Sequence, residues 1–232
     1  MSDKVIGIIG GLGPEATIDL YRKIIAATPA DIEQEHLRVL IDSNPKTPCR
    51  IKAILEGGIS SGPVLAEMAQ GLERSGADLL VMACNTAHYY YPQIVDAVDI
   101  PVLNIIEETV RYIKKQLPNI HRVGIMASHA LLQTGLYQKA LNHAGLKVIH
   151  PSDDEAAKMM TYIFRFKAGS GADSIQHGVQ ALAGKLIDNG AQVIIAGCTE
   201  LPLLIRDEDL RVPLVDPTEV LAIAAVSIAK DI

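Results

Sequence analysis

The chain writes one structural unit twice. Gly76-Ala-Asp-Leu-Leu-Val-Met-Ala-Cys84-Asn-Thr-Ala-His88 reads as a turn glycine, an apolar run of strand length, a cysteine where the strand stops, and then helix-capping residues. Gly190-Ala-Gln-Val-Ile-Ile-Ala-Gly-Cys198-Thr-Glu200 repeats that order, and Cys198 follows Cys84 by 114 positions. Two further matches lie at nearly the same offset. Gly7-Ile-Ile corresponds to Gly124-Ile-Met, and Ile100-Pro-Val-Leu103 corresponds to Val212-Pro-Leu-Val215. A repeat of this length allows few folds, because each copy must bury its own strands.

Between the repeated points, strands of four to six residues alternate with helices of ten or more. Strands are expected at Val5–Ile9, Leu37–Ile41, Leu79–Ala83, Ile100–Leu103, Arg122–Met126, Lys147–Ile149, around 193–198 and at Val212–Val215. Helices are expected from Pro14 to about Ala27, over Pro63–Arg74, near Tyr91–Val98, and over Glu107–Gln116, Leu132–His143, Glu155–Phe166 and Ser174–Asp188. A last helix starts at Pro217. Asp42–Arg50 is a polar, proline-rich loop. This is the pattern of parallel βαβ units covered on both faces. The expectation is an α/β fold of two similar parallel-sheet domains related by pseudo-twofold symmetry, with a ligand cleft between the carboxyl ends of their strands. The domains are set at 1–104 plus 216–232 and at 105–215, the final helix returning to the first.

Composition excludes several functions. Hydrophobic residues make up 49% of the 232, yet no apolar run reaches the roughly 18 residues of a membrane span. A net charge of −6 argues against a nucleic-acid surface. Residues 1–10 move straight into a strand and a glycine loop, unlike a secretory leader. The three cysteines, Cys49, Cys84 and Cys198, form no C-x-x-C pair, so neither a disulfide scaffold nor a zinc site is expected. A cytoplasmic, reduced setting fits them.

The paired cysteines carry the chemistry. At a strand end that opens a helix, a thiol faces backbone N–H groups and the positive end of the helix dipole, and both favour thiolate. One such cysteine reads most simply as a small buried hydrophobe. Two at matched points read as thiols on either side of one carbon. The thiolate takes a proton, the thiol delivers one to the opposite face, and a stereocentre inverts. Arg50 sits in the polar loop, and the repeat offset maps it beside Arg165 and Lys167, so each domain offers a cation suited to a substrate carboxylate. The alternative for Lys167 and Arg165 is a solvated charge at a helix C-terminus. Asn44 lies in the same polar loop as Arg50. Asn85, Thr86 and Thr199 offer hydrogen bonds beside the thiols, or simple caps. Glu200 could orient a substrate ammonium or the Cys198 thiol. His88 reads as a satisfied structural histidine. Gly11-Leu-Gly13-Pro-Glu-Ala16 fits both a backbone-amide cradle for a carboxylate and the dinucleotide fingerprint G-x-G-x-x-A. It therefore leaves open a dinucleotide- or ligand-binding protein.

Ile8-Ile-Gly-Gly-Leu-Gly-Pro14, Met82-Ala-Cys-Asn-Thr-Ala-His88 and Ala196-Gly-Cys-Thr-Glu200 closely resemble the aspartate/glutamate racemase family, its aspartate racemase branch in particular. Glu33-Gln-Glu-His36 and Ile106-Glu-Glu-Thr109 extend the likeness over essentially the whole chain. The resemblance implies a homodimeric amino-acid racemase that uses no pyridoxal phosphate, no other cofactor and no metal. It implies Cys84 and Cys198 as the proton donor/acceptors and a small acidic amino acid as substrate. Substrate contacts are expected at Gly11, Asn44, Cys49, Arg50, Ile51, Asn85, Thr86, Ala87, Ser128, Lys167, Thr199 and Glu200. Two positions depart from the family pattern: Cys49, where relatives often carry an acid, and Ala127-Ser128-His129, where they tend to be threonine-rich. Glutamate or hydantoin racemisation, or maleate isomerisation, remain alternatives on the same scaffold.

Overall fold

Short buried strands alternating with longer helices produce two sheets, both parallel throughout. The computed structural model describes residues 3–169, 171 and 175–232. The chain divides into two units, Met1–Glu108 with Thr218–Ile232, and Thr109–Pro217.

In the first unit, β1 (Ile6–Gly10) is completely buried and forms the centre of a three-stranded sheet. The chain leaves it through α1 (Pro14–Ala27), which has proline at its start, where the missing N–H has no helical partner to lose. β2 (Val39–Ser43) follows, then α2 (Arg50–Glu56), α3 (Gly62–Arg74), β3 (Leu79–Met82) and α4 (Tyr91–Val95); α5 (Ile105–Gln116) begins in this unit, and its residues from Thr109 on belong to the second. The sheet order is β2-β1-β3. Ile9, Leu65, Leu72, Leu80, Met82 and Ile94 are among the buried residues of one core cluster, which also contains Cys84.

In the second unit, β4 (Arg122–Met126) is central. It is followed by α6 (His129–Thr134), α7 (Leu136–His143), β5 (Lys147–Ile149), α8 (Asp153–Lys167), α9 (Gln176–Asp188), β6 (Val193–Ala196) and β7 (Leu214–Val215). The order is β5-β4-β6-β7. A reciprocal capping box between Ser152 and Glu155 starts α8. The last helix, α10 (Pro217–Lys230), supplies Ala229 and Lys230 to the first unit. The Lys4 amide donates to Ala229 O at 3.0 Å, and Lys230 Nζ reaches Asp3 at 2.8 Å and Glu35 O at 2.7 Å.

The repeat seen in sequence is a repeat in atomic detail. A Cβ on Gly7 would lie 2.6 Å from Leu80 Cδ2, 3.0 Å from Ala77 Cβ and 3.3 Å from Leu72 Cβ. A Cβ on Gly124 would meet Ile194 Cδ1, Ala191 Cβ and Leu186 Cβ at the same three distances. The hydrogen bonds correspond as well. The Leu80 amide donates to Pro101 O at 2.8 Å, and the Ile194 amide to Pro213 O at 2.9 Å. Gly76 and Gly190 hold φ of +93° and +99° in the turns before β3 and β6, a conformation that favours glycine.

Several boundaries differ from expectation for identifiable reasons. The second strand runs two residues later than Leu37–Ile41, because pairing with β1 continues until Gly10 meets Ser43. Arg50–Glu56 is a helix and not a loop end, stopped at Gly57 in the left-handed conformation. The helix expected over Leu132–His143 begins earlier and breaks at Gly135 (φ +66°). Ile100–Leu103 contributes a single bridge, Val102 to Leu80, and no full strand. The helix expected from Ser174 begins at Gln176; Ser174 lies outside the described residues.

Candidate active site

In the first unit, the candidate residues lie where β3 ends. The Ala83 amide still donates to Ile9 O at 3.4 Å, and the Cys84 amide then turns back to Met82 O at 2.9 Å. Cys84 is buried, as are Asn85, Thr86 and Ala87. The chain continues as a 3-10 turn over Thr86–Tyr90 and then α4, which stops at Val95 and falls short of Val98. Asn85 occupies the cap position without a side-chain cap bond. His88 Nδ1 lies 2.9 Å from Cys84 O, and His88 Nε2 accepts the Ile105 N–H at 3.1 Å. The second bond fixes the tautomer, so Nδ1–H donates to the cysteine carbonyl. Burial lowers the His88 pKa to about 4. His88 is therefore neutral near pH 7 and positions the Cys84 backbone without placing charge on its sulfur.

Gly11, Asn44 and Arg50 are built together in the same unit. Gly11 has φ +80°, and a Cβ there would lie 2.4 Å from the Asn44 backbone nitrogen. Its amide donates to Thr17 Oγ1 at 2.8 Å, so this N–H of the glycine loop is satisfied internally. The Asn44 amide reaches Gly10 O at 3.3 Å. Arg50, at the start of α2, donates through Nη2 to Leu12 O (2.7 Å) and through Nη1 to Pro48 O (3.3 Å). The guanidinium thus ties the glycine loop to the polar loop. Its partners among the described residues are carbonyls, so no carboxylate offsets its charge. Cys49 is exposed and Ile51 is partly exposed.

In the second unit, the candidate residues lie beyond β6. The Gly197 amide closes onto Met126 O at 2.7 Å, and the half-buried Cys198 stands immediately past it. The Cys198 thiol donates to Glu200 Oε2 at 2.9 Å. Lys167 Nζ, from the end of α8, lies 2.8 Å from Glu200 Oε1. Thr199 Oγ1 also points to Oε2, at 3.4 Å. Thr199 and Glu200 are buried. Ser128 is buried too, and its hydroxyl accepts the Leu131 N–H at 3.2 Å as the cap of α6.

This arrangement corrects two expectations. Neither cysteine opens a long helix: Cys198 leads into a 3-10 turn, Leu201–Leu203, and Glu200, not Thr199, occupies its cap. Nor is the Cys198 thiol made more acidic. Burial pushes it well up, the Glu200 carboxylate adds to that, and Lys167 acts in the opposite sense. Lys167 is not simply a solvated helix-end charge, because it is paired with a buried acid. The Lys167–Glu200–Cys198 connection is the feature the sequence did not disclose. No local spacing rule joins residues 167 and 200, and Cys198-x-Glu200 was the only signal available. Among the described residues, no group of three or more His, Cys, Asp or Glu could hold a metal ion, and no helix is long and apolar enough to cross a membrane.

A family model described as Asp/Glu/Hydantoin racemase matches residues 9–225. The chain belongs to the Asp/Glu/hydantoin racemase family. It is 30% identical over 241 residues to the broad specificity amino-acid racemase RacX of Bacillus subtilis (strain 168), an alignment that spans 96% of this chain and 97% of that protein. In fold it is similar to an aspartate racemase from Picrophilus torridus, with a TM-score of 0.87 and 28% identity over 98% of this chain and 94% of that one. An aspartate racemase homologue from Pyrococcus horikoshii OT3 gives a TM-score of 0.80, also at 28% identity, over 98% and 99% of the two chains. This family member is an amino-acid racemase, and the parallel α/β architecture expected from its sequence is the architecture found.

Proposed function

We propose that this racemase inverts the Cα of aspartate by proton transfer between two cysteines, Cys84 and Cys198. The observation that carries the reading is the Cys198 thiol donating to Glu200. It supplies a protonated sulfur, while the matched Cys84 at the end of the repeated strand serves as the base. The Cα–H of an amino acid is a far weaker acid than a thiol. The negative charge that develops on deprotonation must be met by preorganised donors, for which Asn85, Thr86 and Thr199 are the candidates. Arg50, whose charge no carboxylate among the described residues offsets, suits a substrate carboxylate, and its two carbonyl contacts hold it in place for that contact. Ser128, Lys167 and the residues flanking Arg50 complete the proposed binding set. The same reading has the enzyme work as a cytoplasmic homodimer without pyridoxal phosphate, in keeping with three free cysteines.

A second reading, racemisation of a wider set of amino acids, is favoured by the ion pair between Lys167 and Glu200. That pair leaves one cation and not two for a dicarboxylic substrate. Incubating the purified protein with a panel of L-amino acids, with no added cofactor, and following optical rotation separates the readings. Aspartate should lose rotation fastest. Comparable rates across neutral and acidic amino acids would replace the aspartate assignment with the broader one, and no racemisation of any of them would refute both.

A further inference from the structure

Glu200 sits between a thiol and an ammonium. Its Oε2 accepts from Cys198 Sγ at 2.9 Å, and its Oε1 faces Lys167 Nζ at 2.8 Å. The carboxylate side chain is only 4% exposed, whereas that of Lys167 is 38% exposed. Carboxyl and thiol groups ordinarily titrate about four units apart, so the shared proton belongs to the sulfur. The Lys167 ammonium is paired with the far oxygen. Losing the thiol proton would set a thiolate against a carboxylate at hydrogen-bond distance, two anions in a largely buried place. Among the described residues, Glu200 and Lys167 are the charged groups that act on this sulfur.

We propose that Glu200 is a positioning residue that keeps Cys198 in its thiol form in the substrate-free enzyme, and that Lys167 sets how firmly it does so. Its consequence for turnover rests on the two-cysteine reading above; its test does not. In turnover the Cα–H bond breaks and its proton passes to the Cys84 thiolate. The electron pair left on carbon then takes the Cys198 proton from the opposite face, and Cys198 remains as thiolate. That form carries the repulsion from Glu200, so after product leaves Cys198 takes a proton from water, Cys84 releases one to water, and the substrate-free enzyme returns to the state with Cys198 protonated. One direction of the reaction therefore starts with Cys198 in its predominant form, and the other with Cys198 in its minor form.

The test is the pH dependence of Cys198 alkylation by iodoacetamide, read by mass spectrometry of the peptide containing residue 198. It compares wild type with Glu200→Gln, Glu200→Asp and Lys167→Met. Thiolate is the reacting species, so Glu200→Gln should raise the alkylation rate at pH 8 about tenfold or more, one unit of titration being tenfold. Lys167→Met should lower the rate, and Glu200→Asp should stay close to wild type. A merely structural role would loosen the turn and move the Glu200→Gln and Lys167→Met rates upward together. That outcome, or a Glu200→Gln profile superimposed on wild type, overturns the proposal. If Glu200→Gln does not fold, Lys167→Met decides alone, and an unchanged or increased rate refutes it. Because alkylation needs no turnover, a Cys198→Ser variant that still racemises amino acids would defeat the two-cysteine reading separately.

Discussion

His88 holds the carbonyl of Cys84 from four residues downstream, at 2.9 Å, while its other ring nitrogen accepts the Ile105 amide. The imidazole is a splint between the end of β3 and the start of α5, and it works only when neutral. Folded His88 titrates at about 4, against 6.5 for the free side chain. Between those values the unfolded chain binds a proton that the folded chain does not, so this group makes stability fall as the pH drops through that window. The ceiling is about 3 kcal/mol.

Urea unfolding of wild type and His88→Gln between pH 7 and pH 4 measures this directly. The variant should be less stable at pH 7 by about 1–3 kcal/mol, the cost of disturbing buried hydrogen bonds. It should lose less on acidification, so that the two curves converge towards pH 4. Parallel curves would show that His88 does not carry the pH dependence.

The twin glycines make a second prediction. Gly7 and Gly124 lie in equivalent holes lined by matched residues, with a flexible side-chain end 2.6 Å from the missing Cβ and an alanine Cβ at 3.0 Å. The flexible end can move, but the alanine is held by the turn beneath it. Gly7→Ala and Gly124→Ala should each destabilise by about 1–3 kcal/mol through overpacking, and by similar amounts. Denaturant midpoints of the two single variants provide the check. One neutral and one severe substitution would mean that the repeated packing is not energetically equivalent.

What could be read from the sequence follows the range of the interactions. Strand–turn–helix alternation and the buried runs around Ile8, Val81, Ile125 and Ile195 depend on local pattern and burial, and they emerged with small shifts. His88 was legible as a structural histidine because its partner carbonyl lies four residues away. The start of β2 was not, since its register depends on pairing with β1 up to Gly10 and Ser43. The break at Gly135 and the cap at Gly57 were present as glycines, but a helical run on either side masks the first, and the short length of α2 masks the second. The raised Cys198 thiol was least accessible. Strand-end placement alone suggested an acidified sulfur, and only the folded chain brings Lys167 and Glu200 together and buries the carboxylate beside it.

The central claim, that two different sulfurs serve the two faces of one carbon, is tested most directly by isotope placement early in the reaction. Wild-type enzyme is given L-aspartate in deuterium oxide, and both enantiomers are analysed by mass before a tenth of the substrate has turned over. The account predicts deuterium at Cα in nearly all of the D-aspartate formed and protium retained in the remaining L-aspartate, because the proton removed and the proton delivered reside on different groups. Deuterium entering both enantiomers equally from the outset, or product that keeps the substrate's own proton, would mean that a single base works both faces and would contradict it.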